Sequence, residues 1–246
     1  MQDRSATLAA ASELEGWMTP AQGERLWDSA AAVAPGGAIV EIGSYRGKSA
    51  VVMASAAAPG VTVTAIDPHA GNDRGPQQIH GTADEGQTDH DAFLANLRAA
   101  GVTDRVRHIR AFSHDALDDV EGTVDLLYID GAHRVLPARD DIVRWGARVA
   151  PGGTLLIHDS FSSIGVTLAL LTSLVPGRRF RYLGRDGSLT RYRREDLTGG
   201  EWPANVGRQL LELPWFARNV LVKVLLVARL GSVARRLGHD GETWPY

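Results

Sequence analysis

The sequence contains no cysteine among its 246 residues. Without thiols the chain can form neither disulfides nor thiolate metal sites. Any bound metal ion must therefore be held by carboxylate, imidazole or backbone oxygen ligands. Ligands of this kind favour a hard cation such as Mg²⁺.

An excess of positive charge is also lacking, because 26 Lys and Arg residues face 29 Asp and Glu residues. Such a chain has no strong positive field to hold a polyanion, so nucleic acid is not expected as a partner. The sequence has no signal-type start and no uncharged apolar run of membrane-spanning length. We therefore expect a cytoplasmic protein that does not span a membrane.

Short runs rich in Val and Ile alternate with helical segments in the first two thirds of the chain, which is typical of a parallel sheet covered on both faces. Strands are predicted at 38–42, 61–66, 106–109, 124–129 and 154–158, with helices at 48–57, 91–100 and 138–149. Two more strands, 179–184 and 188–193, flank a Gly-containing turn and predict an antiparallel hairpin. The predicted fold is α/β: a Rossmann-like, seven-stranded, mostly parallel sheet with an antiparallel last strand and helices on both faces.

The length suits one such domain with additions at its ends. We predict an N-terminal helical cover over 1–36, with a helix start at Thr19-Pro20-Ala21-Gln22, a cofactor-binding domain over 37–195 and a C-terminal amphipathic helical extension over 196–246. Residues 67–91 are polar and glycine-rich and are interpreted as a mobile lid or a structureless insertion.

The segment 214–237 is strongly apolar but is interrupted by basic residues, so it predicts an amphipathic helix or helix pair. Those residues are Arg218, Lys223, Arg229, Arg235 and Arg236. Three uses compete: packing on the domain, contact with a second subunit in a homodimer, or weak contact with an anionic membrane surface.

A glycine-bearing turn, Glu41-Ile42-Gly43-Ser44-Tyr45-Arg46-Gly47-Lys48-Ser49, follows the first predicted strand, where open α/β sheets bind ligands. Dinucleotide pyrophosphates require a closer glycine spacing and no neighbouring carboxylate. Glu41 suits an ammonium group, directly or through water, and Asp67 at the next strand end suits ribose hydroxyls. Ammonium and ribose without phosphate indicate S-adenosylmethionine (SAM). The alternative is a purely structural turn.

Ser113, at the third strand end, is expected beside the adenine, and its neighbour Phe112 is either an adenine contact or a core residue. The predicted cofactor-binding residues are Met18, Thr19, Glu41, Gly43, Ser44, Ser49, Asp67 and Ser113.

The fourth and fifth strands end in Asp130 and Asp159, and parallel strands place both ends at one edge of the sheet. Two carboxylates there can hold a divalent cation such as Mg²⁺. His158 is a candidate third ligand, unless side-chain alternation turns it into the core. His133 is a candidate general base beside Asp130, and its alternative role is to cap the following helix. The predicted metal ligands are thus Asp130, Asp159 and His158, and the predicted catalytic residues are His133 and Asp130.

The segments 15–20, 40–49, 129–133, 151–153 and 158–159 together resemble the class I SAM-dependent methyltransferases. Within them, the chain from Glu15 to about Arg193 is similar to the branch of macrocin-type and other sugar O-methyltransferases and cephalosporin-hydroxylase-like proteins. The resemblance implies Mg²⁺-assisted methylation of a saccharide hydroxyl, with cation ligands at Asp130 and Asp159 and the base at His133. Some relatives have a glutamate where this chain has His158.

Three other functions are considered. A nicotinamide-dependent oxidoreductase is disfavoured by the glycine spacing and Glu41. Methylation of nucleobase amines is disfavoured because the fourth strand ends in a metal-type Asp in place of the expected Asn/Asp-Pro-Pro-aromatic motif. A non-catalytic binding protein with this fold is disfavoured by the presence of Asp130, His133 and Asp159.

Overall fold

The computed structural model describes residues 2–71 and 81–240. Its centre is a seven-stranded sheet in the order β3-β2-β1-β4-β5-β7-β6. The strands are β1 (Ala38–Ile42), β2 (Thr62–Ile66), β3 (Val106–Ile109), β4 (Val124–Ile129), β5 (Val149–Ile157), β6 (Phe180–Asp186) and β7 (Leu189–Arg194). Strands β1 to β5 are parallel, and β7 is antiparallel to both of its neighbours. The predicted fold class is confirmed.

Six helices in the described residues precede or connect these strands: α1 (Arg4–Ser12), α2 (Pro20–Ala31), α3 (Lys48–Ala56), α4 (Ala83–Ala99), α5 (Val135–Arg144) and α6 (Ile164–Ser173). Helix α2 begins where predicted, because Thr19 and Gln22 form a reciprocal capping box and Pro20 occupies the first turn.

Helix α4 begins eight residues before the predicted 91–100 segment. Its start is a second capping box, in which the Thr82 side chain accepts from the Glu85 backbone and the Glu85 side chain accepts from the Thr82 backbone. The first turns of this helix are polar, so the hydrophobic pattern did not indicate where it begins. Residues 72–80, the middle of the segment interpreted as a lid, lie outside the described residues.

Both faces of the sheet are buried, as expected for parallel strands. Ile39 of β1 and Leu126 of β4 pack with α2 and α3 on one face, while Val40 of β1 and Leu127 of β4 pack with α5 and α6 on the other. These strand residues are fully buried. Two apolar layers therefore hold the central strands rigidly and fix the positions of the loops at their carboxyl ends.

Three further helices follow the sheet: α7 (Glu201–Leu210), α8 (Leu213–Val227) and α9 (Gly231–Arg236). Asn205 of α7 covers the edge of the sheet, since its Oδ1 accepts a hydrogen bond of 2.8 Å from the backbone N–H of Tyr182. Across residues 2–71 and 81–240, none of the helices has the length and apolar character needed to cross a membrane.

Candidate active site

A cavity of about 300 Å³ opens at the carboxyl edge of β1, β2, β4 and β5. This is the edge at which open α/β folds bind their ligands. Ten of the twelve predicted site residues line it together: Met18, Gly43, Ser44, Ser49, Asp67, Ser113, Asp130, His133, His158 and Asp159.

Gly43 lets the loop after β1 approach the end of β4. Its φ is +84°, and a Cβ built there would lie 2.2 Å from the carbonyl oxygen of Asp130. Only a residue without a side chain can adopt this conformation at this distance. The glycine turn and the first predicted metal ligand are thus in backbone contact.

Asp67 and Ser44 present polar groups on the wall beside this loop. The Asp67 carboxylate accepts 2.8 Å hydrogen bonds from the backbone N–H groups of Tyr45 and His69, which fixes its orientation. The buried hydroxyl of Ser44 has no hydrogen-bond partner among the described residues. A buried hydroxyl without a partner is costly in a folded protein unless a ligand or water satisfies it.

Ser113 and Phe112 form the wall below the end of β3. The Ser113 hydroxyl donates a short hydrogen bond to Asp141 of α5, and burial raises the pKa of that carboxyl to about 6. Phe112 is 43% exposed and stacks on His114, so it lies on the cavity wall and is not a core residue.

Two predicted cofactor contacts lie outside the wall. The Thr19 hydroxyl caps α2 by accepting a hydrogen bond from the backbone N–H of Gln22, so this side chain is engaged in the helix cap and not in the cavity. Glu41 is fully buried behind Ser49, whose hydroxyl donates to it. Burial raises the pKa of Glu41 from its ordinary value of 4.5 to about 8, because no cation accompanies the carboxyl into the core.

Asp130, His133 and Asp159 form a compact group, in which one ligand atom from each residue lies within 4.8 Å of the others. Such a donor set fits a divalent cation that keeps several water ligands. Asp130 accepts a 2.7 Å hydrogen bond from the Tyr128 hydroxyl, and Asp159 accepts a 2.5 Å bond from Nε2 of His133. Burial alone would lower the pKa of His133, but the hydrogen bond and charge of Asp159 outweigh it and raise that pKa.

The helix-cap alternative for His133 does not hold, because α5 begins at Val135 without a side-chain cap. Nε2 of His133 is held by Asp159, while its Nδ1 is buried without a partner in the described part of the chain. One nitrogen is therefore oriented by a carboxylate and the other is available.

His158 lies beside the group and is not one of its three members. Its Nδ1 is 3.1 Å from Asp130 Oδ1 and 3.5 Å from Asp159 Oδ2. Its Nε2 lies 3.3 Å from Oε1 of Gln22, an oxygen that also accepts from the Thr19 backbone N–H. Nε2 must therefore carry a proton, which leaves Nδ1 facing the two carboxylates.

Nearby charges set the protonation states of His158 and Asp159. Burial disfavours a charged His158, but the Asp130 and Asp159 charges outweigh burial and hold the pKa of His158 well above its ordinary value. Burial alone would raise the pKa of Asp159, but the opposite charge of His158 lowers it. A positive charge is thus favoured between these carboxylates.

Three residues on the cavity wall have left-handed backbone conformations that non-glycine residues rarely adopt: Tyr45 (φ 43°), His69 (φ 46°) and Asp159 (φ 56°). Such strain persists only where surrounding structure imposes it, and it is concentrated at functional sites. The left-handed turn at Asp159 also explains why it faces the cavity together with His158, although the two are adjacent in sequence.

Several wall and supporting residues were not predicted. Trp17 packs against Tyr45 with ring centroids 5.4 Å apart, and both lie on the wall. Both residues lie in segments that carry the family resemblance, 15–20 and 40–49, but the sequence does not indicate that they are in contact. Asp141 and Tyr128 carry no local signal for their roles. Gln22 was predicted as part of a capping box, but its contact with His158, 136 residues away, has no local signal.

The order of the sheet and the placement of the cavity are those of the class I methyltransferase fold. Residues 40–160 match the family model of a methyltransferase domain. This part of the chain is therefore similar to the class I SAM-dependent methyltransferases that its sequence resembles.

Solved structures share the fold at low identity. An O-methyltransferase from Bacillus cereus in complex with SAH is 17% identical, with a TM-score of 0.56 and coverage of 78% of this chain and 89% of that chain. TomG of Streptomyces achromogenes, an O-methyltransferase of tomaymycin synthesis in complex with SAM, is 16% identical, with a TM-score of 0.56 and coverage of 79% and 91%. The SAH-bound methyltransferase PaMTH1 of Podospora anserina is 17% identical, with a TM-score of 0.56 and coverage of 80% and 89%.

Proposed function

We propose that the protein is an O-methyltransferase that moves the methyl group of SAM onto a hydroxyl of a small saccharide or glycosylated metabolite, assisted by Mg²⁺ or another divalent cation. One observation carries the proposal: the glycine turn with Asp67 and the group Asp130, His133 and Asp159 line a single cavity. A methyl donor and a metal-bound acceptor need this proximity for direct transfer.

Asp67 is assigned to the ribose hydroxyls, since its carboxylate is fixed by two backbone N–H groups and faces the cavity. Ser44 and Ser49 are assigned to the amino-acid end of SAM because both hydroxyls lie beside the glycine turn. Glu41 is assigned an indirect role, since its hydrogen bond from Ser49 holds that hydroxyl in place. Solved relatives that hold SAM or SAH support this choice of cofactor.

Asp130 and Asp159 are assigned as cation ligands. A divalent cation held there would lower the pKa of an acceptor hydroxyl and orient it. The two ionised carboxylates attract such an ion, and the nearby imidazole of His158 can offer Nδ1 as a further ligand. The ligand role of His158 stays a prediction.

His133 is assigned as the base that accepts the hydroxyl proton at Nδ1. Asp159 holds the opposite nitrogen at 2.5 Å and so orients the ring. This arrangement of carboxylate, imidazole and substrate hydroxyl is effective because the base is fixed before the substrate arrives.

The saccharide acceptor rests on the sequence resemblance, since no group on the wall distinguishes a sugar from another hydroxylated molecule. The cytoplasmic location and the homodimer likewise stay predictions. An oxidoreductase is disfavoured because Gly43 and Gly47 are separated by three residues, a wider spacing than the turn that binds a dinucleotide pyrophosphate requires. Protection from thermal unfolding by SAM but not NAD would separate these two functions.

Methyl transfer from labelled SAM to a panel of saccharides, followed by mass spectrometry, tests the proposal. We expect EDTA to abolish transfer and Mg²⁺ to restore it. Asp159→Asn should lower turnover by about 100-fold or more, because removing the charge weakens both the cation site and the His133 orientation. Asp140→Asn is the matched control, since that carboxylate lies on the surface and forms an ion pair with Arg144. Full activity in metal-free enzyme would contradict the cation role.

A further inference from the structure

The outward face of helix α8 is apolar. Within Leu213–Val227, every exposed position is an apolar residue, and these positions recur at spacings of three or four residues. We call this row the α8 stripe: Pro214, Ala217, Leu221, Val224 and Val227. Val224 is 58% exposed and Val227 is 75% exposed. A surface helix of a globular protein normally has polar residues on this face.

The stripe is not the packing face of the helix. On the opposite side, Asn219 and Val222 are buried, and the Asn219 side chain donates to the carbonyl of Phe161 at 3.3 Å. Lys223 donates to the carbonyl of Ser162 at 2.8 Å. The helix is thus anchored to the loop after β5 by its buried side, and the α8 stripe remains exposed on the opposite side.

The stripe continues into a basic end. Leu230 and Val233 are 46% and 41% exposed, and among them lie Arg229, Arg235 and Arg236, which are exposed and have no ion pair within residues 2–71 and 81–240. We call these three arginines the basic cluster. An apolar face followed along the chain by exposed cations that have no ion pair among the described residues fits a partner that is both apolar and anionic.

Charge is distributed unevenly along the chain. Residues 213–239 contain five Lys and Arg residues and no Asp or Glu, whereas the rest of the chain has 21 basic residues against 29 acidic ones. A second copy meeting this face through a two-fold axis would bring residues 213–239 of both copies together, and this segment has no acidic residue to pair with the basic cluster. That occupant would leave the cluster without counter-charges, whereas an anionic lipid surface satisfies both the stripe and the cluster.

We propose that α8 and α9 form a peripheral docking surface for anionic lipid, with the α8 stripe inserted at the headgroup boundary and the basic cluster at the phosphates. Helix α8 has 15 residues and lies on the membrane without crossing it. The proposal is independent of the acceptor, because binding to lipid needs neither SAM nor catalysis.

Co-sedimentation of the full chain with vesicles tests the proposal. We expect binding to vesicles containing phosphatidylglycerol, weaker binding as salt is raised, and little binding to pure phosphatidylcholine. Replacing all three cluster arginines by Gln should lower the partition coefficient by about 100-fold, at about fivefold for each arginine. Arg107→Gln is the control, since this arginine is exposed on β3 at the other edge of the sheet.

The stripe is tested separately by Val224→Glu, which should reduce binding to phosphatidylglycerol vesicles at least tenfold through lost insertion and added repulsion. Val143→Glu is the matched control, because Val143 is also a helical valine and is 45% exposed. Three results would overturn the proposal: no binding to anionic vesicles, equal loss in the control variants, or a solution dimer that Val224→Glu dissociates.

Discussion

The buried carboxyl of Glu41 allows a quantitative test that needs no acceptor. Oε1 of Glu41 accepts from Ser49, and its Oε2 has no partner among the described residues. Substitution Glu41→Gln keeps the size of the side chain and removes its ability to ionise. It should therefore mimic the protonated carboxyl at low pH and differ from the wild type as pH rises.

The sign follows from proton binding. The folded-state pKa, about 8, exceeds the ordinary value of 4.5, so the folded state holds the proton more tightly than the unfolded state. Stability from this carboxyl is fully present below 4.5 and is lost as pH rises to about 8. At about 1.4 kcal/mol for each pH unit, the full loss is about 5 kcal/mol.

Urea unfolding of both proteins, followed by circular dichroism, measures the effect. Between about pH 5 and about pH 9, the free energy of unfolding of Glu41→Gln relative to wild type should rise by about 4 kcal/mol. Taking the difference cancels the titration of the groups that do not interact with Glu41. Glu121→Gln, at an exposed position, is the control for replacing a glutamate by glutamine. A flat difference for Glu41→Gln would refute the reasoning, because it would mean that burial does not perturb this carboxyl.

Two further predictions concern the loop that carries His133. Gly165→Ala should lower the free energy of unfolding by about 1 to 3 kcal/mol, because a Cβ at position 165 would lie 1.9 Å from the His133 carbonyl oxygen. Its control is Gly207→Ala, where a Cβ would have no atom within 4 Å, and this substitution should be neutral or stabilising by up to about 1 kcal/mol. His133→Gln should lower methyl transfer by about 100-fold or more and leave SAM binding intact in calorimetry; unchanged turnover would remove His133 from the base role.

The sequence was sufficient to predict the sheet because central strands such as β1 and β4 are largely buried and form continuous apolar runs, and because β6 and β7 flank a Gly-containing turn. The start of α2 was equally clear, because Thr19, Pro20 and Gln22 make a local capping signal. Helix α4 was predicted too short because the residues after Thr82 are polar, and the capping box there was overlooked. Local hydrogen-bond signals were thus available at both helix starts.

The convergence of Asp130 and Asp159 was predictable from topology alone, since parallel strands end at one edge. The environment of Glu41 was not predictable, because a carboxyl in a strand can face either a ligand or the core. Only the packed structure decides between these two environments. The position of His158 was equally undetermined. Its direction depends on the left-handed turn at Asp159 and on Gln22, which is 136 residues away.

The contact at Gly43 has a consequence for how such an enzyme can change its substrate. The donor turn and the acid that ends β4 meet through backbone atoms, so their spacing stays the same as long as position 43 is glycine, whatever the size of the surrounding side chains. New acceptors must then be accommodated by remodelling the periphery, where helices and loops can vary while the distance from methyl donor to reacting oxygen stays the same.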